Sequence, residues 1–343
     1  ILSCAMLLTG CTGVAWLHDS SGFLFVRGNT LIIYDVDEQS ETEILSEDWL
    51  NNMLHVGVSP NDERIAIVKI DKDDESFDFQ VFIYDMQGAL KKKSPVLSVP
   101  FEKEEYDDSI DIGEALNYAE WSPDGKKILY VAATPEGEHS AVLDLKSNTI
   151  QLIQDVCPPF YMNGYSCSPD SKGFIALKDT ELEDESEDYV YVEWNGTIHE
   201  IDDREAEAKN DAFGASSDFM LYPQMRWNEN ILSISLENGN LLQVDIETKK
   251  AELTNENKSL YEHAQRFGVT NVHPFSDGLV LQATESEIQV ARIEEGTRET
   301  LVMEDDLKAF MYSTSPDGRR VVIATEPFSN GKLLVIDSDG NLV

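Results

Sequence analysis

Positive charge is what this sequence has least of. Against 65 Asp and Glu stand only 26 Lys and Arg, a formal net charge of −39. Such a field repels phosphate backbones and anionic headgroups, so nucleic acid is excluded as a partner. Cysteine is scarce as well. Four in 343 residues are too few for a disulfide-built scaffold. The six histidines, at 18, 55, 139, 199, 263 and 273, contain no pair at metal-ligand spacing, and no metal site is expected from them. A Gly-x-Ser-x-Gly nucleophile elbow is also missing, and no catalytic residue can be named.

The chain does have enough apolar material to fold. Hydrophobic residues make up 41% and aromatics 9%, which is ordinary for a packed domain and too rich for disorder. Residues 1–8 form an uncharged apolar run, too short to span a bilayer but suited to the core of a signal peptide. The run ends in Leu8-Thr9-Gly10-Cys11, which resembles the lipobox of bacterial lipoproteins. That resemblance implies a signal remnant over 1–10, a lipid on Cys11, and a mature domain over 11–343 held on a membrane surface. Cys157 and Cys167 then remain as a possible disulfide in an oxidising compartment.

Self-similarity decides the architecture. Trp121-Ser122-Pro123-Asp124-Gly125 precedes the apolar run Ile128–Val131. The same order returns at Ser59-Pro60-Asn61-Asp62, Ser168-Pro169-Asp170-Ser171 and Ser315-Pro316-Asp317-Gly318, and more weakly near residues 16, 227 and 272. Proline presets the first turn dihedral, Asp bonds back to nearby amides, and Gly accepts positive φ, so each motif closes a hairpin. A third strand ending in Asp recurs at Asp35, Asp85, Asp144, Asp245 and Asp337. Units of this length, repeated from about 14, 56, 118, 164, 224, 269 and 311, predict an all-β fold, a β-propeller of seven four-stranded blades.

With those motifs in view, the chain resembles the TolB-like propellers, relatives of the WD40-like repeat folds, which carry the same Trp-Ser-Pro-Asp-Gly signature. The resemblance implies a periplasmic or surface-exposed envelope protein that works through protein contacts and brings no catalytic residues. It is strongest where Ser-Pro-Asp is intact.

The excess charge is concentrated where the repeat is interrupted. Segments 71–78, 101–114, 179–188 and 202–211 hold 24 Asp and Glu against four basic residues. In a propeller all four insertions are expected on one face. The candidate partner-binding residues are therefore Asp71, Asp73, Asp74, Glu75 and Asp78; Glu104, Glu105, Asp107 and Asp108; Glu181, Glu183, Asp184, Glu185, Glu187 and Asp188; and Asp202 and Asp203. Such a rim suits a basic protein or peptide of the envelope, and it equally suits mere solvation of surface loops. No cofactor is expected, although a divalent cation among Asp71–Asp78 is a subordinate possibility without an EF-hand pattern. Phe77, Phe79, Tyr106, Tyr118, Phe213 and Tyr222 either line a channel mouth or pin the insertions. Residues 257–266 read as a short helix.

The expectation is a monomeric, lipid-anchored binding scaffold. The alternative is a propeller enzyme acting on a carbohydrate or other small molecule, marked by a buried carboxylate pair in a deep pocket.

Overall fold

In the computed structural model each Ser-Pro-Asp turn is a closed hydrogen-bonded knot. The serine hydroxyl donates to the side chain two residues on: Ser59 to Asn61 at 2.9 Å, Ser122 to Asp124 and Ser168 to Asp170 at 2.8 Å, Ser315 to Asp317 at 2.6 Å. The same hydroxyl accepts the amide five residues on, as Ser122 does from Lys127 at 2.9 Å. The fourth turn residue takes positive φ, 55° at Asp62, 67° at Gly125, 56° at Ser171 and 69° at Gly318. This reverses the chain into the next strand.

The structure describes residues 14–342 apart from 53–55, 74, 101–117, 135–136, 160–164, 179–187, 203–224, 236–240, 255–272, 277–278, 284–286, 295–296, 306–310, 325–332 and 340. Cys11, the signal remnant and the helix expected over 257–266 lie outside the described residues. The chain divides into two compact units, Ile1–Phe160 with Tyr165–Glu200, and Tyr161–Gly164 with Ile201–Val343.

The first unit holds four antiparallel sheets, each a meander in chain order. Blade 1 is β1 (Ala15–Trp16), β2 (Gly22–Arg27), β3 (Thr30–Asp35) and β4 (Ser40–Ser46); blade 2 is β5 (Gly57–Val58), β6 (Arg64–Lys72), β7 (Ser76–Asp85) and β8 (Leu90–Lys93), with β9 (Leu97–Pro100) added to β7. Blade 3 is β10 (Ala119–Trp121), β11 (Lys127–Thr134), β12 (Gly137–Asp144) and β13 (Thr149–Ile153); blade 4 is β14 (Val156–Cys157), β15 (Gly173–Lys178), β16 (Asp188–Glu193) and β17 (Ile198–Glu200).

In the first unit the second strands are apolar through their middles, where both faces are buried. Ile65 and Ile67 pack with Leu24 and Leu31 of blade 1, whereas Ala66 and Val68 face the other way and pack with Ile128 and Tyr130 of blade 3. Leu129 then points onward to Phe174 and Ala176 of blade 4. One strand thus serves two cores, the two-sided burial that an uninterrupted apolar run permits.

In the second unit, β18 (Met225–Asn228), β19 (Ile231–Ser235), β20 (Leu241–Asp245) and β21 (Lys250–Thr254) form blade 5, and β22 (His273–Ser276), β23 (Leu279–Ala283), β24 (Glu287–Glu294) and β25 (Thr297–Asp305) form blade 6. The last repeat makes only three strands among the described residues, β26 (Met311–Thr314), β27 (Arg320–Ala324) and β28 (Leu333–Asp337), followed by an isolated bridge between Ile336 and Leu342. The expected seven four-stranded blades are therefore corrected to six among the described residues. The repeat motif specifies the hairpin of β26 and β27, but a fourth strand needs a ladder along β28, and a single bridge does not supply one.

Five of the third strands, β3, β7, β12, β20 and β28, end in Asp because that residue builds the next turn. Oδ1 of Asp144 accepts the amides of Lys146 at 3.0 Å and Ser147 at 2.8 Å, and Asp35, Asp85, Asp245 and Asp337 do the same for their own turns. The pairs Asp35/Asp37 and Asp337/Asp339 are thus hairpin turns. Lys127 Nζ stands 2.8 Å from Asp144 Oδ2 and, with the Ser147 bonds, holds that carboxyl well below its usual range. A depressed carboxyl stabilises the fold above the ordinary Asp pKa and loses that effect as pH falls. The stability gap between the wild type and Asp144→Asn is accordingly expected to be open at neutral pH and to close below about pH 4. A gap that stays constant to pH 2 would contradict this.

Neighbouring turns are also latched to each other. Where Asp62 replaces the turn glycine, its Oδ1 accepts the His18 amide at 2.9 Å and meets His18 Nδ1 at 3.0 Å, while Oδ2 accepts the Asp19 amide at 3.3 Å. Ser171 occupies the equivalent position in blade 4, and its hydroxyl accepts the Asp124 amide of blade 3 at 3.0 Å. Asp62→Ala is expected to lose about 2 kcal/mol, from positive φ and unmade hydrogen bonds together. Asp62→Gly should lose only about 1 kcal/mol, because glycine takes the turn freely. Equal unfolding midpoints for the two variants would show that φ is irrelevant there.

Candidate functional site

The acidic insertion 71–78 proves to be a continuation of blade 2. Strands β6 and β7 run on past the length of a usual blade strand, with Lys72 opposite Phe77 and Asp71 opposite Asp78. Ser76-Phe77-Asp78-Phe79-Gln80 alternates, so Phe77 and Phe79 are buried, each 1% exposed, while Ser76, Asp78 and Gln80 keep partial access to solvent. Strand β9 braces the extension, setting Val99 opposite Phe77 and Leu97 opposite Phe79. The expectation of a loose loop is corrected here: the aromatic pair pins the hairpin to the blade, and Tyr118, also buried, is likewise no channel lining.

At the tip, Asp73 Oδ1 accepts the amides of Glu75 at 2.8 Å and Ser76 at 2.7 Å. Those two bonds hold its carboxyl below the usual range. Asp71 is 2.6 Å from Lys69 Nζ and remains largely exposed, as does Glu75. Placing Asp71 directly across from Asp78 sets like charges on one cross-strand pair, a destabilising arrangement that Lys69 offsets in part. The hairpin therefore presents four acids, Asp71, Asp73, Glu75 and Asp78, on a fixed frame.

The remaining candidates are placed only in part. Asp188 opens β16 opposite Lys178, and Asp202, exposed, bridges in parallel to Lys250. Asp74, Glu104, Glu105, Asp107, Asp108, Glu181, Glu183, Asp184, Glu185, Glu187 and Asp203 lie outside the described residues, as do Tyr106, Phe213 and Tyr222. Among the described residues no three His, Cys, Asp or Glu side chains converge on a metal position. Cys157 and Cys167 are buried and not joined in a disulfide. They flank the same edge of β15, opposite Leu177 and Phe174. Those partners lie three residues apart, so the two side chains leave on opposite faces and do not bridge.

A groove of about 710 Å³ opens between blades 2 and 3, lined by Asp62, Asp85, Met86, Lys91, Lys92 and Leu145 among others. Its lysines are already engaged, Lys91 with Asp85 at 2.6 Å and Lys92 with the Leu145 carbonyl at 2.6 Å.

One buried group escaped the sequence reading. Glu120, in the inner strand β10, is 2% exposed. Its Oε1 accepts the Cys167 amide at 2.7 Å, its Oε2 accepts the Ser166 amide at 2.9 Å, and Oε2 is also hydrogen-bonded to Tyr118 Oη. Burial pushes the Glu120 carboxyl up, against the pull of these bonds. Burial likewise raises the Tyr118 hydroxyl and the Cys167 thiol well above their usual ranges. The only sequence signal is a lone acid in an otherwise apolar strand.

With blades, hairpin and buried cluster in place, comparison with known proteins bears on the fold. No family model and no curated protein matches the sequence. Hydrazine synthase of Kuenenia stuttgartiensis is similar over 97% of this chain and 97% of its own, at 13% identity and a TM-score of 0.52. The fold is a β-propeller. Other solved neighbours are TolB from Acinetobacter baumannii, with 17% identity over 98% of this chain and a TM-score of 0.42, and the C-terminal WD40 domain of Sif2, with 12% identity over 98% and 0.48. This chain spans 63% of the TolB chain and 83% of the Sif2 domain.

Proposed function

We propose that this propeller is a non-catalytic scaffold of the cell envelope, anchored by a lipid on Cys11, that binds a basic protein or peptide segment through its acidic insertions. The observation that carries the reading is the β6–β7 hairpin. It holds four acids outward on a frame braced by Phe77, Phe79 and β9, and it tolerates the like-charge pair Asp71/Asp78. Local rules broken at a cost in stability mark functional positions more often than random ones. The Ser-Pro-Asp-Gly resemblance to TolB-like propellers supports the envelope location and the partner class.

Steering by a negative rim acts mainly on association rate and is screened by salt. Carboxylate-to-amine crosslinking in intact envelopes, followed by peptide mapping, tests the reading. Crosslinks from Asp71, Glu75 or Asp78 to lysines of one partner are expected. Crosslinks confined to acids elsewhere in the chain would overturn the assignment of this hairpin.

A further inference from the structure

Glu120 is used neither by the repeat nor by the proposed binding surface. It sits two residues before the turn serine Ser122, where blade 2 has Gly57 and blade 4 has Ser166. Its carboxyl reaches from β10 of blade 3 to the two amides that lead into the turn of blade 4. We propose that Glu120 is held as a neutral carboxylic acid whose proton locks blade 3 to blade 4, so that this junction loosens when the proton is removed.

The surroundings supply a complete set of partners for the neutral form. With its proton on Oε2, Glu120 donates to Tyr118 Oη, and the Tyr118 proton passes to Ser166 Oγ, 3.2 Å away. Oε1 still accepts the Cys167 amide. Every side chain in that chain is enclosed: Tyr118 is 5% exposed, Ser166 0% and Cys167 2%.

The charged form has poor company. The titratable groups facing Glu120 are Tyr118 on its own strand, and Tyr165 and Cys167 from the segment entering blade 4. Beyond these lie the carboxylates Asp124, which acts on Cys167, and Asp62, which acts on Tyr165. All are neutral acids or anions. His18 stacks on Tyr165 and meets Asp62, but among the described residues no lysine, arginine or histidine is one of the groups that set the state of Glu120. A buried carboxylate without a counter-charge carries a desolvation penalty that only neutral donors, the Tyr118 hydroxyl, the Cys167 thiol and the two amides, are there to offset.

The sign of the pH dependence separates the neutral from the ionised state. A carboxyl favoured neutral in the fold stabilises it below the ordinary glutamate range, and that stabilisation is lost as pH rises. Glu120→Gln keeps a neutral group with a donor toward Tyr118 and gives up only the bond from Ser166, a loss independent of pH. Unfolding equilibria of wild type and Glu120→Gln should be measured from pH 4 to pH 8. The ratio of wild-type to variant folding constants is expected to fall with rising pH, by up to about tenfold per pH unit, the slope of one proton. A ratio that rises with pH, or stays flat, would overturn the proposal.

Should Glu120→Gln fail to fold, infrared spectroscopy of the wild type gives an independent reading. A carboxylic-acid carbonyl band at neutral pH, moved by Tyr118→Phe, is expected. Its absence would equally overturn the proposal.

Discussion

Trp121→Ala is expected to lose about 3–5 kcal/mol of stability, the range for emptying a buried aromatic site. Trp121 is 5% exposed and lies in the cluster that joins blades 2 and 3. Its Nε1 donates to the Gly57 carbonyl at 3.1 Å, so the indole fastens the inner strand of one blade to that of the next. The approach is close. A Cβ on Gly57 would stand 2.6 Å from the Ala119 carbonyl oxygen, a backbone atom that cannot swing aside. Trp121→Phe keeps much of the packing and removes the indole hydrogen bond to the carbonyl, for a smaller loss of about 1–3 kcal/mol. Denaturant unfolding of the three proteins checks the order. A Phe variant as unstable as the Ala variant would show that the indole hydrogen bond, rather than the buried area, holds the junction.

The second large effect concerns the frame under the acids. Phe79→Ala should cost about 3–5 kcal/mol, because Phe79 is 1% exposed and packed under β9. Asp71→Asn and Glu75→Gln change exposed side chains and should stay within about 0.5 kcal/mol of wild type. The two classes of variant pull the scaffold and the charge apart. If partner capture depends on acids held in place, it should fall both when the charge is removed at full stability and when the frame is loosened with the charge intact. Hydrogen exchange over β6, β7 and β9 reports the loosening: faster exchange is expected in Phe79→Ala and unchanged exchange in Asp71→Asn. Faster exchange in both would mean that the acids are structural.

Much of this architecture was legible in the sequence, and the exceptions have physical causes. The turns at Ser59, Ser122, Ser168 and Ser315 and the strand-ending aspartates could be read directly, since each is a local device whose partners lie within five residues. The number of four-stranded blades could not, because the fourth strand of the last repeat depends on pairing along β28 that a turn motif does not specify. The charge of segment 71–78 reads as a surface loop. The alternation through Phe77 and Phe79 was the better guide, but its partners Leu97 and Val99 stand about twenty residues away. Glu120 was invisible for the same reason carried further: its partners are 46 and 47 residues on. Asp62 in place of the turn glycine was visible as a departure, whereas the blade 1 amides that explain it were not.

The central claim is that charge on the β6–β7 hairpin captures a basic partner. The most direct measurement compares capture of envelope proteins by the full lipidated chain and by the triple variant Asp71→Asn, Glu75→Gln, Asp78→Asn, each at low and high salt. Asp73 is left in place because it builds the turn. The account predicts one basic partner retained by the wild type at low salt, released at high salt, and retained weakly or not at all by the variant. Equal retention by both proteins, with the same dependence on salt, would contradict it.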